Sequence, residues 1–147
     1  GLEECLEALT GKYQEESEEA HKLGIKIVKF MREKCDEYSK KYNLNFTLIG
    51  TSEELLVGKF IKLDQAIYGK LNGITDKENY TNSFHVQPKA KISATRKIDL
   101  EAPYHTLTNG GHITIVEENG NSSDYLKMIQ MMQKAQIGYA TIKNREG

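Results

Sequence analysis

The sequence contains no tryptophan, and its 147 residues include only two prolines and two cysteines. The cysteines lie far apart without a CxxC pair, so a disulfide framework or a zinc knuckle has no support. Cys5 and Cys35 are predicted to be small packing residues of helices. No apolar run approaches the roughly 18 residues that a membrane helix needs, and residues 1–20 are acidic, unlike a secretory signal. These absences predict a cytoplasmic protein that has no membrane partner.

Neither sign of charge dominates the chain. It carries 20 lysines and arginines against 21 acidic residues, which gives a net charge of -1. Because the two signs are interspersed, no segment has the basic character of a polyanion-binding surface, and no direct nucleic-acid partner is expected. A chain of this length is long enough to form one domain with a core of its own.

Apolar periodicity predicts an alternating series of helices and strands. Helices are expected over residues 2–10, about 17–42 and 52–69, then as a short helix that Pro103 ends, and last as a helix capped by Ser122 that carries Leu126, Ile129 and Met132. Strands are expected over residues 45–50, 112–118 and 137–142, and residues 69–79 are expected to be loop. Alternation of this kind predicts an α/β fold with largely parallel strands and crossover helices.

A polar bend is predicted in "YTNSFHV", residues 80–86, where Thr81, Asn82 and Ser83 stand together without glycine or proline. Short hydroxyl and amide side chains can aim several donors at one point, as anion-binding nests do. They can equally form a turn that serves only itself, and the residues alone favour this second interpretation. His85, taken alone, is more often a packing residue than a catalyst.

A second motif is the glycine turn in "EAPYHTLTNGGHITI", residues 101–115. Asn109, Gly110 and the glycine that follows permit a tight backbone and the close approach of a ligand or of another chain segment. A turn that merely closes a buried strand explains the motif as well. His105 and His112 are seven residues apart across the turn, which is not a helical or strand spacing for metal ligands. A zinc or iron site formed by His85, His105 and His112 is only a weak alternative, and no metal ligand is assigned.

Two acidic residues, Glu53 and Glu54, follow the first predicted strand. Acidic residues in a first helical turn usually stabilise the helix dipole. In α/β proteins, however, this end of a strand also collects active residues, which makes Glu54 a candidate general base or proton relay. No catalytic residue is assigned beyond that candidate.

Five segments together carry a family resemblance. They are "GLEECLEALTG", "ESEEAHKLGIKIVKFMREKCDEYS", "NFTLIGT", "GITDKENYTNSFHV" and "LEAPYHTLTNGGHITIVE". In this order they resemble the anaerobic, class III ribonucleoside-triphosphate reductases, which are glycyl radical enzymes. The resemblance runs from Gly1 to about Ile142, and "YTNSFHV" and "EAPYH" followed by "NGGHI" are its most specific parts.

The resemblance implies a ten-stranded α/β barrel built from two parallel half-barrels. Residues 1–147 are then a single segment of this catalytic barrel, from its C-terminal half. The family's ATP-cone with its ATP and dNTP effectors, radical cysteine loop, four-cysteine zinc site and glycyl radical loop are not found in the sequence. Cys5 and Cys35 match neither the radical cysteine nor the zinc ligands, so neither cofactor is expected on this chain.

The implied reaction is radical reduction of a ribonucleoside triphosphate at C2′, with formate or a thioredoxin-like system as the electron source. In the full-length family a radical SAM enzyme installs the glycyl radical, and the protein is expected to be a homodimer. The segment alone is expected to be inactive. With the family context, the polar bend is expected to face substrate phosphates. The residues expected to bind substrate are Thr81, Asn82, Ser83, His85, Asn109 and Gly110.

Two alternatives remain open at the level of sequence. The segment can be a nucleotide- or phosphate-binding module, or an enzyme remnant, without catalysis. It can also belong to a different glycyl radical enzyme, such as a relative of pyruvate formate-lyase, although the "YTNSFHV" run argues against this.

Overall fold

A computed structural model describes residues 1–50, 54–117 and 122–143, and the side chains of Glu54, Ser122 and Ser123 lie outside that description. The elements, in chain order, are α1 (Leu2–Thr10), α2 (Glu18–Tyr42), α3 (Glu54–Tyr68), α4 (Ala94–Leu107), β1 (Thr114–Glu117), α5 (Ser122–Lys134) and β2 (Ala140–Lys143). The chain divides into two compact units, residues 1–24 with 51–90 and residues 25–50 with 91–147. They are called the first and the second unit below.

The first two helices begin and end at the signals that the sequence carries. α1 ends at Gly11, which adopts a left-handed conformation with φ of 70° and donates its N–H to Glu7 O. Ser17 caps α2, since its Oγ accepts the Ala20 N–H at 3.3 Å. Two glutamates lie in the first turn of α2 and two lysines in its last, as the helix dipole favours. The helices expected over residues 2–10 and 17–42 are thus confirmed.

The third helix also ends at a glycine. Gly69 follows α3 with φ of 75°, and the loop after it is tied back by Thr75, whose hydroxyl donates to Gly69 O at 2.7 Å. The predicted loop over residues 69–79 is confirmed. The sequence offers Thr51 or Ser52 as the residue that caps this helix, and both lie outside the described residues. No helix in the described part of the chain is both long and apolar enough to cross a membrane.

The first unit has an apolar core to which α1, α2, α3 and the segment after residue 80 all contribute. Its buried apolar residues are Leu2, Leu6, Ala20, Ile61, Phe84 and Val86. Phe84 and Val86 flank His85 directly after the polar bend, so burial of these two side chains anchors the chain next to the bend. The Leu2 N–H donates to Ser83 O at 3.1 Å, which joins the start of α1 to the bend.

The second unit contains a small parallel sheet. β1 pairs with β2 in parallel, from Thr114 opposite Ala140 to Glu117 opposite Lys143, and α5 is the crossover between them. Ile98 of α4, Val116 of β1, and Met128 and Met132 of α5 form one buried cluster. The prediction of an α/β fold with parallel strands and a crossover helix is confirmed for this unit.

Pro103 does not end a helix, and the prediction that it would is wrong. α4 runs through it from Ala94 to Leu107. Proline removes one helical donor, the N–H that would reach the carbonyl of Asp99, and that residue is exposed to water. The helix also has strong ends: Ser93 Oγ accepts the Arg96 N–H at 3.1 Å. Good capping and burial of one face therefore outweigh one missing hydrogen bond.

The prediction of a strand over residues 45–50 is also wrong. Among the described residues this segment forms only an isolated parallel bridge, Ile49 with Gly111. The Leu48 N–H donates to the Asn109 side-chain oxygen at 2.8 Å, and Leu48 O accepts the Gly110 N–H at 2.8 Å. The N–H of Leu48 is thus bonded to the Asn109 side chain and its carbonyl to the glycine turn, so neither group is left for a neighbouring strand.

The buried face of α5 differs from the expected one. Leu126 and Ile129 are 60% and 53% exposed, whereas Met128 and Met132 are each 7% exposed. Two stripes of the helix have helical spacing, and the flexible methionines fill the space beside β1. The prediction is therefore right for Met132 and wrong for Leu126 and Ile129. Cys5 is exposed as well, contrary to the packing role expected for it.

Candidate functional site

The polar bend, residues 81–83, is anchored in the first unit by a buried carboxylate. Thr81 is 6% exposed, and its N–H and hydroxyl both donate to Glu4 Oε1, at 2.9 and 2.8 Å. Lys77 Nζ donates to the same oxygen at 2.8 Å. Burial acts to raise the pKa of Glu4, but the hydrogen bonds from Lys77 and Thr81 outweigh it and hold the pKa below its usual value. Glu4 is therefore an ionised anchor for the bend.

The other end of the bend meets the start of α1. Ser83 has φ of 42°, a left-handed conformation that a serine rarely adopts, and this turns its carbonyl toward the Leu2 N–H. The His85 N–H donates to Asn82 O at 3.0 Å and closes the turn. The bend thus satisfies one of the N–H groups that every helix start leaves without an intrahelical partner.

The six expected substrate-binding residues divide between the units. Thr81, Asn82 and Ser83 form the polar bend and His85 follows it; Thr81 and His85 are buried, and Asn82 and Ser83 are half-buried. Sequence reasoning missed Glu4, which holds Thr81, and Lys77, which donates to Glu4. The available signal was the pair of adjacent glutamates in the first turn of α1. The apolar stripe of that helix leaves room for only one of the two on its exposed side, so at least one of them had to be buried. The substrate role of these residues stays a prediction.

Asn109 and Gly110 line a pocket of about 510 Å³ within the second unit. The pocket walls combine glycine backbone with two histidines and one tyrosine. Its lining includes Ile49, Gly50, His105, Thr108, Asn109, Gly110, Gly111, His112, Gly138 and Tyr139. Concave sites with a few convergent polar groups are the usual place for small ligands. This pocket is therefore a ligand-site candidate in the described part of the second unit.

Glycine is required at two positions in the wall of this pocket. A Cβ at Gly110 would lie 3.0 Å from Leu48 O and 3.0 Å from the Ile49 Cβ, so the neighbouring backbone would have to move. A Cβ at Gly50 would overlap the ring of His112. The sequence indicated close approach at the "NGG" turn, and the approaching group is the chain segment before residue 51.

The two histidines of the pocket pack edge to face. The ring centroids of His105 and His112 are 4.7 Å apart at an interplanar angle of 66°. The Gly138 N–H donates to His105 Nδ1 at 3.4 Å, which makes Nε2 the protonated nitrogen and places its N–H on Thr114 Oγ1 at 2.8 Å. Both ring nitrogens of His105 are therefore hydrogen-bonded to protein groups. Glu54 is the first residue of α3, and its proposed role stays a prediction because its side chain lies outside the described residues.

Comparison with known proteins identifies the family. The family model for anaerobic ribonucleoside-triphosphate reductase matches residues 1–145. The chain belongs to the anaerobic ribonucleoside-triphosphate reductase family. The resemblance drawn from "YTNSFHV" and "NGGHI" is thereby confirmed.

Individual relatives agree with this membership. Over 114 residues the chain is 40% identical to the anaerobic ribonucleoside-triphosphate reductases of Salmonella typhimurium and of Escherichia coli. These matches cover 77% of the chain and only 16% of each reductase. The chain therefore spans about a sixth of the length of the relatives that it matches.

A solved reductase shares the fold. The anaerobic ribonucleotide reductase of Thermotoga maritima, crystallised with glycerol in the active site, superimposes with a TM-score of 0.75 at 18% identity. The superposition covers 89% of the chain and 20% of that reductase. At this identity the likeness supports the fold, which is that of part of an anaerobic reductase.

Proposed function

We propose that these residues are one segment of an anaerobic ribonucleoside-triphosphate reductase, which makes deoxyribonucleotides by radical reduction of ribonucleoside triphosphates. The observation that carries the proposal is the family match from residue 1 to 145, together with 40% identity to two reductases. Since the chain spans 16% of those relatives, the activity belongs to a longer polypeptide, and the segment alone is inactive.

Within that polypeptide, residues 1–147 form a single segment of the wall of a ten-stranded α/β barrel. The parallel pair β1 and β2 with its crossover helix α5 supports this placement, because parallel strands joined by helices are the unit of such barrels. The TM-score of 0.75 to a solved reductase supports it too.

The polar bend contributes to binding the substrate phosphates. In this proposal Asn82 and Ser83 contact the phosphate, while Thr81 positions them through its two bonds to Glu4. The bend abuts the start of α1, whose dipole favours a negative ligand, and Lys77 offsets the charge of Glu4. His85 stabilises the turn, because its backbone N–H donates to Asn82 O.

A separate substrate contact is proposed at the turn of Asn109 and Gly110 in the second unit. The turn lines a pocket, and the absence of a side chain at Gly110 lets the turn pack against Leu48 and Ile49 in the wall of that pocket. Glu54 is retained as the candidate proton relay. Each residue is a binding or positioning group, and none carries the radical.

The radical and the zinc are proposed to reside elsewhere in the longer polypeptide. A four-cysteine zinc site does not fit this chain, which has two cysteines, one exposed and one half-buried. The same proposal includes activation by a radical SAM enzyme, homodimer formation, regulation by ATP and deoxynucleotides, and a cytoplasmic location.

The test is an anaerobic assay of the complete gene product after treatment with a radical SAM activating enzyme. We expect a glycyl radical signal in electron paramagnetic resonance and conversion of ribonucleoside triphosphates to deoxy products. A product that binds nucleoside triphosphates tightly but forms neither radical nor deoxynucleotide would contradict the proposal and favour a non-catalytic module.

A further inference from the structure

The pocket beside the glycine turn of the second unit has an uncharged character. Among the described residues that line it there is no lysine, arginine, aspartate or glutamate. Its walls combine glycine backbone with two isoleucines, a threonine, an asparagine, a tyrosine and two histidines. A phosphate or carboxylate that entered this pocket would lose its water without meeting a permanent opposite charge. The lining therefore favours an uncharged ligand.

The glycine turn is not an anion-binding nest, because its N–H groups are already bonded within the protein. The Gly110 N–H donates to Leu48 O at 2.8 Å, and the Gly111 N–H donates to Thr108 O at 3.1 Å. In the neighbouring segment, the Gly50 N–H donates to Gly111 O at 2.8 Å. A nest binds an anion through successive N–H groups that point at the ligand. These three N–H groups point at carbonyls of the chain instead.

Asn109 gives the pocket a pair of oriented neutral donors. Its Oδ1 accepts the Leu48 N–H at 2.8 Å, which identifies the oxygen of the amide and sets its plane. The Nδ2 atom, on the other branch of the amide, then presents two N–H groups. Because Asn109 is exposed and lines the pocket, these donors can reach a ligand. Their natural partners are uncharged acceptors such as the carbonyl oxygens and ring nitrogens of a planar heterocycle.

Tyr139 gives the same pocket an aromatic surface. It lines the pocket and is 69% exposed, while its backbone is held just before β2, where Tyr139 O accepts the Thr114 N–H at 3.0 Å. An exposed aromatic ring stacks well on another planar ring, and every nucleobase offers such a face. The pocket volume of about 510 Å³ also lies within the range of small-molecule sites.

We propose that this pocket binds the base of a nucleotide, with the Asn109 amide donating to an acceptor on the base and Tyr139 stacked on its face. The inference rests on the proposed function, which makes a nucleotide the ligand. It adds that the second unit holds the base and not a phosphate. Substrate and effector nucleotides both carry a base, and the last experiment below separates them.

The direct test is a titration of the ¹⁵N-labelled 147-residue chain with uridine, ribose and inorganic phosphate, followed by nuclear magnetic resonance. We expect uridine to cause saturable shifts of the amide signals of Gly111 and Gly138, which line the pocket. Ribose and inorganic phosphate should leave both signals in place, since ribose lacks the base and phosphate is an anion. Shifts with phosphate but not with uridine would overturn the proposal.

Two variants test the named contacts. Asn109→Asp keeps an oxygen for the Leu48 N–H but replaces the two donors by an acceptor, and Tyr139→Leu removes the aromatic face. Each should weaken uridine binding by about fivefold or more. Asn43→Asp is the matched control, because Asn43 is exposed in the same unit and does not line the pocket, and it should bind uridine as the wild type does. Wild-type affinity in both pocket variants would contradict the proposal.

In the complete gene product, Asn109→Asp separates the two kinds of nucleotide. A higher KM for the ribonucleoside triphosphate would show that the pocket holds the base of the substrate. An unchanged KM with weaker activation by the effector would show that it holds the base of the effector, and the absence of both changes would overturn the proposal. Uridine binding by the chain requires no radical. Its presence in a gene product that forms no deoxynucleotide would therefore contradict the proposed function alone.

Discussion

Glu4 is the residue around which the polar bend is organised, because one of its oxygens accepts bonds from the N–H and hydroxyl of Thr81 and from Lys77. A carboxylate in a buried position needs such donors to stay ionised. The local sequence predicted a bend of short polar groups, but Glu4, which anchors the bend, lies 77 residues before Thr81 in the chain. Sequence patterns report neighbours along an element, so a long-range anchor of this kind could not be predicted.

Removal of one donor to this anchor should destabilise the protein. In Thr81→Val the shape of the side chain is kept while the buried Glu4 loses the hydroxyl, and we expect the free energy of unfolding to fall by about 1–3 kcal/mol. Urea denaturation measures the loss. Thr106→Val, at an exposed threonine of α4, is the control and should change the stability by less than about 0.5 kcal/mol. An equal effect of the two variants would show that Thr81 is not held as described.

Burial, followed by the charge of Glu15, raises the pKa of Glu3 to about 8, and this predicts how stability depends on pH. Since the folded state holds the proton up to about pH 8 and the unfolded state releases it near 4.5, the free energy of unfolding should decline as the pH rises between these values. The slope has an upper bound of about 1.4 kcal/mol per pH unit. Urea denaturation at pH 6 and pH 9 should show a larger decline for the wild type than for Glu15→Gln. If the free energy of unfolding of the wild type rose over this pH interval relative to that of the variant, the prediction would be contradicted.

At the scale of elements, α5 shows where periodicity was informative and where it was ambiguous. The helix and its crossover role between β1 and β2 were predicted, but the stripe that is buried was chosen wrongly. Leucine and isoleucine outrank methionine as core residues by burial habit alone. The choice was decided by the space beside Val116 and Ile98, which only the tertiary structure defines.

This choice has a measurable consequence. Met132→Ala removes a side chain that is 7% exposed and should lower the free energy of unfolding by about 2–5 kcal/mol. Ile129→Ala, three residues earlier on the exposed face, should change it by less than about 0.5 kcal/mol. Thermal or urea unfolding of both variants decides between the faces. A larger loss for Ile129→Ala would contradict the core described for the second unit.

The short strand and the helix stop illustrate a second limit of sequence reasoning. "NFTLIG" has strand composition, yet Asn109 and Gly110 bond to Leu48 and leave a single bridge in place of a ladder. Pro103 disfavours a helix locally, yet α4 continues because its caps and its buried face compensate. Both errors have the same cause. A local conformational preference of about 1–3 kcal/mol is smaller than the free energy that tertiary contacts contribute.

At the scale of the whole molecule, the first unit carries an exposed apolar stripe on α3. Leu56, Phe60, Leu63 and Ile67 follow one helical face and are 45–70% exposed. Exposed apolar stripes of this kind mark surfaces that another chain covers.

We therefore expect the 147-residue chain to associate with itself through this stripe. Sedimentation velocity should show species larger than the monomer at micromolar concentration, and Leu63→Glu should reduce them by placing a charge in the contact. Lys62→Glu, at the exposed neighbour on the same helix, is the control and should leave association unchanged. A wild-type chain that sediments as a single monomer would contradict this expectation.

The central claim is that the polar bend holds the phosphates of a ribonucleoside triphosphate in the complete reductase. Its most direct test is the KM for that substrate in a double variant, Asn82→Ala with Ser83→Gly, in which glycine keeps the left-handed backbone at Ser83 while the hydroxyl is removed. We expect KM to rise by about tenfold or more at nearly unchanged kcat, because the contacts bind substrate and transition state equally. The exposed left-handed position Asn43→Gly should leave KM unchanged. A folded double variant with the KM of the wild type would contradict the claim.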